Sequence, residues 1–349
     1  MKLIVFAGGT LGHICPAVEI IKQIKNKYSN VYIIFVATEK DKNYQIIKNC
    51  ICDEIKFLEC YSIKSSIKKN IKNVKAYQEL KKLMKSKQIT SAIGFGGYIS
   101  GIGIKAAQAL KLKTFIHEQN SIMGLSNKLV LKKVDNIYLS FPITKYKKTT
   151  VVGNPVYFKA ENLKKKIYKE RNKMLFISGT LGSKEINQLA VNLIRGKHLT
   201  NYDVTIITGK KYYQDVFKLL KNTNTKIYEF SNNLIEQISS SEVVISRAGS
   251  SSLFEIIGTN TLSIIIPSPN VTNNHQYHNA LYFKNVGCIE MIEENDLSIN
   301  NFLSKLNILI NNKEEYYKSM RNFKMDNLID KMIEEICQWV MGILILFNM

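Results

Sequence analysis

The chain has 349 residues, which is enough for two ordinary domains, and 45% of them are apolar, as in a globular protein. The formal net charge of +21 raises nucleic acid as a partner, but only four arginines contribute, so a nucleic-acid reader is not favoured and an anionic lipid surface fits at least as well. The six cysteines show no CxxC pair, which argues against a zinc site or a disulfide scaffold and favours reduced thiols in the cytosol.

Short β-rich apolar runs alternate with helical patterns along the whole chain. In the first half, strands are predicted at Lys2–Ala7, Val31–Ala37, Ile55–Leu58, Ser91–Gly94, Lys113–Ile116 and Asn136–Leu139. In the second half, they are predicted at Lys173–Ser178, Asp203–Thr208, Lys226–Phe230, Glu242–Ser246, Leu262–Pro267 and Cys288–Met291. Helical patterns between them include Pro16–Tyr28, Ile102–Leu110 and Lys184–Arg195. This alternation predicts an α/β protein with parallel sheets covered on both faces, and a domain joint near Val151–Lys166.

Two segments repeat one local pattern. Lys2–Gly12 (KLIVFAGGTLG) and Lys173–Gly182 (KMLFISGTLG) each run from an apolar strand into a Gly-Thr-Leu-Gly turn before a helical pattern. The N–H groups and the positive dipole end at such a helix start attract anionic groups. The repeat predicts two similar α/β domains that face a shared cleft, one of which holds a phosphorylated ligand.

Several common nucleotide motifs are absent from the sequence. Neither glycine loop matches G-x-G-x-x-G, no P-loop is present, and no Asp-x-Asp pair occurs that could bridge a metal to a diphosphate. We therefore expect no nicotinamide cofactor and no metal, and we expect helix ends and side chains to meet the negative charge of the ligand.

Several blocks together carry a family resemblance. FAGGTLGHICPA, GFGGYISG, IHEQNSIMGLSNK, VVGNPV, SRAGSSSLFEI and NNHQYHNAL resemble the MurG family of bacterial glycosyltransferases. The resemblance implies a GT-B fold with an acceptor and membrane-facing domain over residues 1–156, a UDP-sugar domain over 157–325, and a C-terminal helix with an apolar tail over 326–349. It also implies an inverting, metal-independent transfer of N-acetylglucosamine from UDP-N-acetylglucosamine to lipid I, which gives lipid II for peptidoglycan. The partners would be these two substrates and the cytoplasmic face of the cell membrane.

The resemblance assigns roles to individual residues. His13 is the candidate general base, because a helix start keeps imidazole neutral, and Glu118 is a reserve base that, like His117, is first expected to organise its loop. The residues expected to bind substrate are Thr10, Leu11, Gly12, Asn120, Thr180, Ser231, Arg247, Ser250, Ser251, Ser252, Glu255, His275, Gln276 and Asn279. The first three would hold either the phosphates of the sugar nucleotide or the pyrophosphate of the acceptor.

Glu255 has two readings. With Ser252 it forms an S-x-x-E capping-box pattern, so it could satisfy backbone N–H groups at a helix start. The resemblance instead makes it the ligand of the ribose hydroxyls, which is the reading we favour.

Three motifs depart from the family pattern: Leu11 stands where glycine is usual, Tyr157 where arginine follows GNPV, and Thr180 and Leu181 where GGSQG has serine and glutamine. A leucine at position 11 would be strained if the site required a positive φ. Other functions stay open: a diacylglycerol-type lipid glycosyltransferase, a UDP-N-acetylglucosamine 2-epimerase and, because of Leu11 and Tyr157, a weakly active UDP-sugar-binding membrane tether.

Two segments are candidates for contact with the membrane. Ser62–Lys87 places Ile63, Ile67, Ile71 and Val74 at helical spacing among lysines, which suits anionic headgroups but also an ordinary amphipathic helix. Trp339–Phe347 is apolar but far too short to span a bilayer, and it is read either as a packed helix or as an interfacial anchor.

Overall fold

The chain forms two compact units. The structure, a computed structural model, describes residues 1–62, 65–143, 146–164, 172–323, 325 and 328–338. One unit consists of Met1–Pro155 with the described residues from Met325 onward, and the other of Val156–Lys324. Ile63 and the Trp339–Phe347 segment lie outside the described residues.

Each unit is built on one parallel sheet. The first unit has β1 (Lys2–Phe6), β2 (Tyr32–Thr38), β3 (Glu54–Leu58), β4 (Ser91–Gly94), β5 (Lys113–Glu118), β6 (Asn136–Leu139) and β7 (Thr149–Val151). The second has β8 (Lys173–Ile177), β9 (Asp203–Ile207), β10 (Lys226–Tyr228), β11 (Val243–Ser246), β12 (Leu262–Ile265) and β13 (Glu290–Met291). Their orders are β3-β2-β1-β4-β5-β6-β7 and β10-β9-β8-β11-β12-β13. Apolar runs such as β1 and β8 are buried because helices cover both faces of a parallel sheet.

The helices connect these strands. In chain order they are α1 (Leu11–Lys27), α2 (Gln45–Lys48), α3 (Ile67–Ser86), α4 (Gly97–Ala109), α5 (Leu125–Lys128), α6 (Pro155–Lys164), α7 (Lys184–Arg195), α8 (Tyr213–Leu220), α9 (Leu234–Ser240), α10 (Ser250–Gly258), α11 (His275–Asn285), α12 (Ile299–Asn311), α13 (Lys313–Asn322) and α14 (Ile329–Gln338). Short 3-10 turns occur at Glu39–Asp41, Leu131–Lys133, Thr272–Asn274 and Glu294–Asp296.

The order of each sheet fixes where a ligand would bind. The order reverses between β1 and β4 in the first unit and between β8 and β11 in the second. In open α/β sheets, ligands bind outside the carboxyl ends of the strands at such a reversal. Both Gly-Thr-Leu-Gly loops follow a strand at this point of their own sheet.

The predicted two-domain α/β class with parallel sheets is confirmed, and the element limits differ in a few places. Strand β7 was not predicted, because three residues in a lysine- and threonine-rich stretch carry no apolar run. Helices α1 and α4 begin five residues earlier than predicted, since glycines near their N-termini obscured the helical pattern.

The C-terminal helix α14 packs on the first unit. Glu335 accepts a hydrogen bond from the Tyr138 hydroxyl at 2.9 Å and another from Asn136 Nδ2 at 3.0 Å. Lys27 Nζ lies 2.9 Å from Glu334 Oε1. Helix α14 therefore belongs to the unit that carries β1 to β7.

Candidate functional site

The first glycine loop lies between β1 and α1. Gly9 has a φ of +87°, which favours glycine, and Thr10 is the extended N-cap residue of the helix. Leu11 is the first residue of α1 and Gly12 the second, so both have ordinary helical conformations. The leucine at position 11 is therefore compatible with the loop without backbone strain.

His13 lies in the first turn of α1 and faces back onto its own loop. Its Nδ1 lies 3.1 Å from the carbonyl oxygen of Gly8 and 3.4 Å from the hydroxyl of Thr10. A carbonyl oxygen only accepts, so the bond to Gly8 requires the proton on Nδ1 and leaves Nε2 as the basic nitrogen. This is the tautomer that a general base acting through Nε2 needs.

A second glycine loop, between β4 and α4, supports the first. Gly96 has a φ of +107°, and a Cβ there would lie 2.7 Å from the ring of His13. Gly97 has a φ of +80°, and a Cβ there would lie 2.2 Å from the carbonyl oxygen of Gly8. Glycine is required at both positions because the loop backbone contacts the catalytic candidate and its loop directly.

Glu118 organises the loop that follows β5. Its Oε1 accepts hydrogen bonds from the backbone and side-chain nitrogens of Asn120, at 3.0 and 3.1 Å. Its Oε2 accepts from Gly124 N at 2.8 Å and from Asn127 Nδ2 at 2.9 Å. A carboxylate has about four lone-pair sites, so these bonds account for them. The geometry supports loop organisation, and the reserve role as a base stays a prediction that it does not favour.

His117 is a buried, neutral histidine. Its Nε2 lies 3.0 Å from the carbonyl oxygen of Gly153, Gln119 Nε2 lies 3.0 Å from its Nδ1, and its ring stacks on Phe95. Burial lowers the pKa of His117 to about 4. The side chain therefore joins the end of β5 to the segment after β7.

The second Gly-Thr-Leu-Gly loop, between β8 and α7, differs in conformation from the first one, between β1 and α1. Gly179 and Gly182 have φ values of +76° and +84°, and Thr180 is exposed. Leu181 is 82% exposed. Helix α7 begins only after the loop, where the hydroxyl of Ser183 accepts from the backbone N–H of Ile186 at 3.3 Å.

Arg247 follows β11 and makes several contacts within the second unit. Its Nη2 lies 2.7 Å from both the Ser183 hydroxyl and Glu185 Oε2. Its Nη1 donates to the carbonyl oxygen of Ile266 at 3.2 Å and lies 2.5 Å from Glu294 Oε2. Arg247 thus joins the loops after β8, β11 and β12, and its predicted contact with substrate remains a prediction.

The N-terminus of α10 corrects the capping-box reading. The helix begins at Ser250 with Gly249 as its N-cap residue, so Ser252 is the third helical residue and not a cap. Ser251 and Ser252 are partly buried in this first turn. Serines at the first three positions of a helix place hydroxyls beside its N-terminal N–H groups, which suits a phosphate.

Glu255 lies one turn further along α10 and is partly buried. Burial raises the pKa of its carboxyl group to about 7, a shift that Lys159 opposes and Glu236 reinforces. The carboxyl group thus does not serve the helix start, and a ligand that supplied hydroxyl donors would favour its charged form.

The residues at the start of α11 are tied to neighbouring loops. His275 Nδ1 lies 2.9 Å from the carbonyl oxygen of Thr272, and Gln276 Oε1 accepts from Ser268 N at 2.9 Å. The buried Asn279 donates to the carbonyl oxygen of Ala248 at 3.3 Å. Just before the helix, Asn273 and Asn274 both have φ values near +50°, a conformation that usually costs energy and is common at ligand sites.

Within each unit, the structure brings most predicted residues to one edge of a sheet. In the first unit these are Thr10, Leu11, Gly12, His13, Glu118 and Asn120, and in the second Thr180, Arg247, Ser250, Ser251, Ser252, Glu255, His275, Gln276 and Asn279. Ser231 follows the edge strand β10, where its hydroxyl donates to Asn233 Oδ1 at 2.9 Å. In the described part of the chain, no group of three or more His, Cys, Asp or Glu is placed to hold a metal ion.

Comparisons with known proteins place the chain among glycosyltransferases. The glycosyltransferase family 28 N-terminal domain matches residues 3–139, and the C-terminal domain of the same family matches residues 174–332. The UDP-N-acetylglucosamine–N-acetylmuramyl-(pentapeptide) pyrophosphoryl-undecaprenol N-acetylglucosamine transferase of Natranaerobius thermophilus is 31% identical over 359 residues, which cover 93% of this chain and 95% of that relative. The chain belongs to the MurG family.

Solved structures agree with the MurG assignment at the level of the fold. Acinetobacter baumannii MurG superposes with a TM-score of 0.74 at 19% identity, over 97% of this chain and 99% of that one. A putative UDP-N-acetylglucosamine 2-epimerase from Listeria monocytogenes gives 0.71 at 11% identity, over 95% and 94%. The GT-B fold is thus confirmed, and the likeness to the epimerase shows the fold alone.

Sequence reasoning missed one residue beside the MurG-type first loop. Asp41 lies in the turn after β2, 1% exposed, and its carboxylate accepts the backbone N–H of Gly9 at 3.0 Å. Thr38-x-x-Asp41 is itself a capping-box pattern, and both of its reciprocal bonds are present. That pattern signals a turn after β2, but it does not signal the contact of Asp41 with Gly9.

Proposed function

We propose that this chain transfers N-acetylglucosamine from UDP-N-acetylglucosamine to lipid I, with inversion at the anomeric carbon and without a metal. The observation that carries the proposal is the 31% identity with a transferase of this name over 93% of the chain. The putative epimerase resembles this chain only at the level of the fold, so the comparisons do not favour an epimerase.

The second unit would hold the donor. Ser250, Ser251 and Ser252 occupy the first turn of α10, where helix N–H groups and the dipole favour the phosphates. Glu255 would accept hydrogen bonds from the ribose hydroxyls, and its raised pKa means that these donors would be met by a carboxyl group that ionises near neutrality. Thr180 and Ser231 would complete the contacts of the nucleotide.

The sugar would lie at the start of α11. His275, Gln276 and Asn279 are contributed by a single helix that hydrogen bonds to the loops after β11 and β12. Amide and imidazole groups suit the hydroxyls and the N-acetyl group of the sugar. Arg247 would support this arrangement by holding the same loops together.

The first unit would supply the base and bind the acceptor. His13 Nε2 would accept the proton of the acceptor hydroxyl as its oxygen attacks the anomeric carbon, and the bond from that carbon to the UDP oxygen breaks. Thr10, Leu11 and Gly12 would lie against a pyrophosphate at the start of α1, and Asn120 would contact the donor from the loop that Glu118 organises.

Helix α3 would bind the cytoplasmic face of the membrane. Ile67, Ile71 and Val74 are 82%, 52% and 60% exposed, so they do not serve the core. The buried face of the same helix is formed by Ala76, Leu80 and Met84. An exposed apolar row flanked by lysines suits an anionic bilayer surface. No described helix is long and apolar enough to cross a bilayer.

The activity test is acceptor-dependent release of UDP. Purified protein is incubated with UDP-N-acetylglucosamine and a short-chain lipid I analogue, and both UDP and the disaccharide product are followed. We expect release only when the acceptor is present, together with a lipid II-like product.

Glu255→Ala should weaken UDP binding far more than it lowers the melting temperature, because the residue does not cap its helix.

Other outcomes separate the remaining functions. Transfer to diacylglycerol but not to the lipid I analogue would point to a different lipid acceptor. Loss of donor without any acceptor would indicate epimerase or hydrolase chemistry. UDP binding without turnover, in an assay where an active relative works, would identify a binding protein.

The membrane proposal has its own test. Wild-type protein and an Ile67→Gln/Ile71→Gln variant are mixed with phosphatidylglycerol vesicles and separated by flotation. We expect at least about tenfold weaker partitioning of the variant, because two apolar side chains no longer enter the bilayer surface. Phe217→Gln/Leu219→Gln, which alters exposed apolar residues of the second unit, is the matched control. Equal partitioning of both variants would contradict the assignment of α3.

A further inference from the structure

Asp41 is a buried carboxylate next to the first glycine loop. Its Oδ2 accepts hydrogen bonds from the backbone N–H and the hydroxyl of Thr38, at 3.0 and 2.6 Å. The backbone N–H of Gly9 lies 3.0 Å from Oδ2 and 3.2 Å from Oδ1. A Cβ at Gly8 would lie 2.8 Å from Oδ2, so the carboxylate fits tightly under the loop.

The peptide unit between Gly8 and Gly9 connects Asp41 to His13. Its N–H points to the Asp41 carboxylate, and its carbonyl oxygen lies 3.1 Å from Nδ1 of His13. A negative charge on the N–H side of an amide polarises it and makes its carbonyl oxygen a stronger acceptor. Asp41 and His13 are thereby coupled through one peptide plane, without direct contact.

We propose that Asp41 is a positioning residue for the transfer reaction, acting through the Gly8–Gly9 peptide to keep the proton of His13 on Nδ1 and Nε2 free of it. The inference rests on the proposed role of His13 as the base. In the step itself, the acceptor hydroxyl gives its proton to Nε2, its oxygen bonds to the anomeric carbon, and UDP leaves with the electron pair of the broken bond.

Orientation is the second consequence of this coupling. Gly9 has a φ of +87° and, like Gly8, no side chain that could restrain the peptide plane between them. The bond from its N–H to Asp41 fixes the plane, and the fixed carbonyl oxygen then holds the imidazole ring. A neutral partner at position 41 would weaken both effects while occupying the same space.

The test measures the tautomer of His13 directly. Full-length protein labelled with ¹⁵N-histidine gives the chemical shifts of both ring nitrogens, and a His13→Gln sample assigns the signal among the five histidines. We expect the Nδ1–H tautomer for neutral His13 in wild type. Asp41→Asn should shift the population toward Nε2–H and lower kcat at least about tenfold, part of the ~10²–10⁴ that a general base contributes, with the KM for UDP-N-acetylglucosamine unchanged.

Two further variants keep the result interpretable. Asp53→Asn is the matched control, because Asp53 also accepts a backbone N–H, that of Ile33, at the opposite end of β2. It should leave the His13 signal and kcat unchanged. Thr38→Val removes one hydrogen bond to Asp41 and keeps the charge of Asp41. It should shift the His13 tautomer in the same direction as Asp41→Asn but by less, and it replaces that variant if Asp41→Asn does not fold.

The outcomes separate this inference from the proposed function. An Nε2–H tautomer in wild type would overturn the role of Asp41, whatever the activity. An unchanged tautomer in folded Asp41→Asn, or in Thr38→Val where Asp41→Asn does not fold, would overturn it as well. Absence of product from wild type would instead refute the proposed function, because the tautomer is read without any substrate.

Discussion

The two Gly-Thr-Leu-Gly loops have one sequence and two structures. In the first, Gly9 has a positive φ and the helix begins within the tetrapeptide, so Gly12 is helical. In the second, Gly179 and Gly182 both have positive φ and the helix begins after the loop. The difference shows that a shared motif predicts a strand-to-helix turn but does not fix where the helix starts.

Neighbouring groups account for the difference. In the second loop, Ser183 caps α7 through its hydroxyl, and Gly182 lies so close to Gly209 that a Cβ on Gly209 would be 2.4 Å from its Cα. In the first loop, Asp41 accepts a hydrogen bond from the backbone N–H of Gly9. A Cβ on Gly12 would meet only the Thr10 hydroxyl, at 3.6 Å. Tertiary contacts therefore choose between two turns that the same four residues permit.

The largest expected effect is the difference between alanine at Gly182 and alanine at Gly12, the last glycines of the two loops. Gly182→Ala should lower the free energy of unfolding by about 2 kcal/mol or more, because alanine at positive φ costs about 1–2 kcal/mol and its Cβ would lie 2.8 Å from the carbonyl oxygen of Thr208. Gly12→Ala should instead leave the free energy of unfolding unchanged or raise it by up to about 1 kcal/mol, since Gly12 is helical, its surroundings are open and alanine favours a helix. Urea unfolding measures both. Equal destabilisation would mean that the two loops share one conformation.

The two units can also be compared through one buried ionisable group in each. Burial disfavours the charged form of both groups, so it lowers the pKa of His117 in the first unit and raises the pKa of Glu255 in the second. His117 has an ordinary pKa of 6.5 that burial lowers to about 4. The unfolded chain therefore binds more protons between these values, and stability present above pH 6.5 is lost as the pH falls toward 4. At pH 5 the expected loss is about 2 kcal/mol. A pH series of urea unfolding should show this slope in wild type and not in His117→Gln. His198→Gln, which alters an exposed histidine, should keep it.

Glu255 should give a smaller effect of opposite sign. Burial raises its pKa from 4.5 to about 7, so the folded protein binds more protons between these values and stability is lost as the pH rises through 7. Because the side chain is only partly buried, we expect the free energy of unfolding to fall by about 1–2 kcal/mol at pH 8. Glu255→Gln should abolish this fall, and the control Glu229→Gln, which alters an exposed residue, should keep it. Saturating UDP should reduce the loss in wild type, since ribose hydroxyls would favour the carboxylate. A slope unaffected by UDP would contradict ribose binding.

Much of the fold was predictable because it depends on local apolar patterns. Runs such as Lys2–Ala7 and Lys173–Ser178 mark buried parallel strands whose limits the structure reproduces within one residue. Strand β7 could not be found in this way, because its pairing with β6 depends on the neighbour and not on its own three residues.

The capping boxes show the limit of local patterns at the candidate site. Ser252 and Glu255 match the pattern, yet α10 begins two residues before Ser252. Thr38 and Asp41 match it too, and there both reciprocal bonds form. A four-residue pattern indicates only which capping hydrogen bonds could form. The preceding strand and the packing around it determine where the helix starts.

The sequence by itself determined the two α/β units, the glycine loops at the carboxyl ends of their strands, and the membership of the MurG family, because periodicity and short motifs are properties of neighbouring residues. The tertiary structure decided which conformation each Gly-Thr-Leu-Gly loop adopts and which groups hold it. Asp41 meets the Gly9 amide across 32 positions of chain. Hydrogen bonds over such separations exist only once the sheet has brought β1 and β2 side by side.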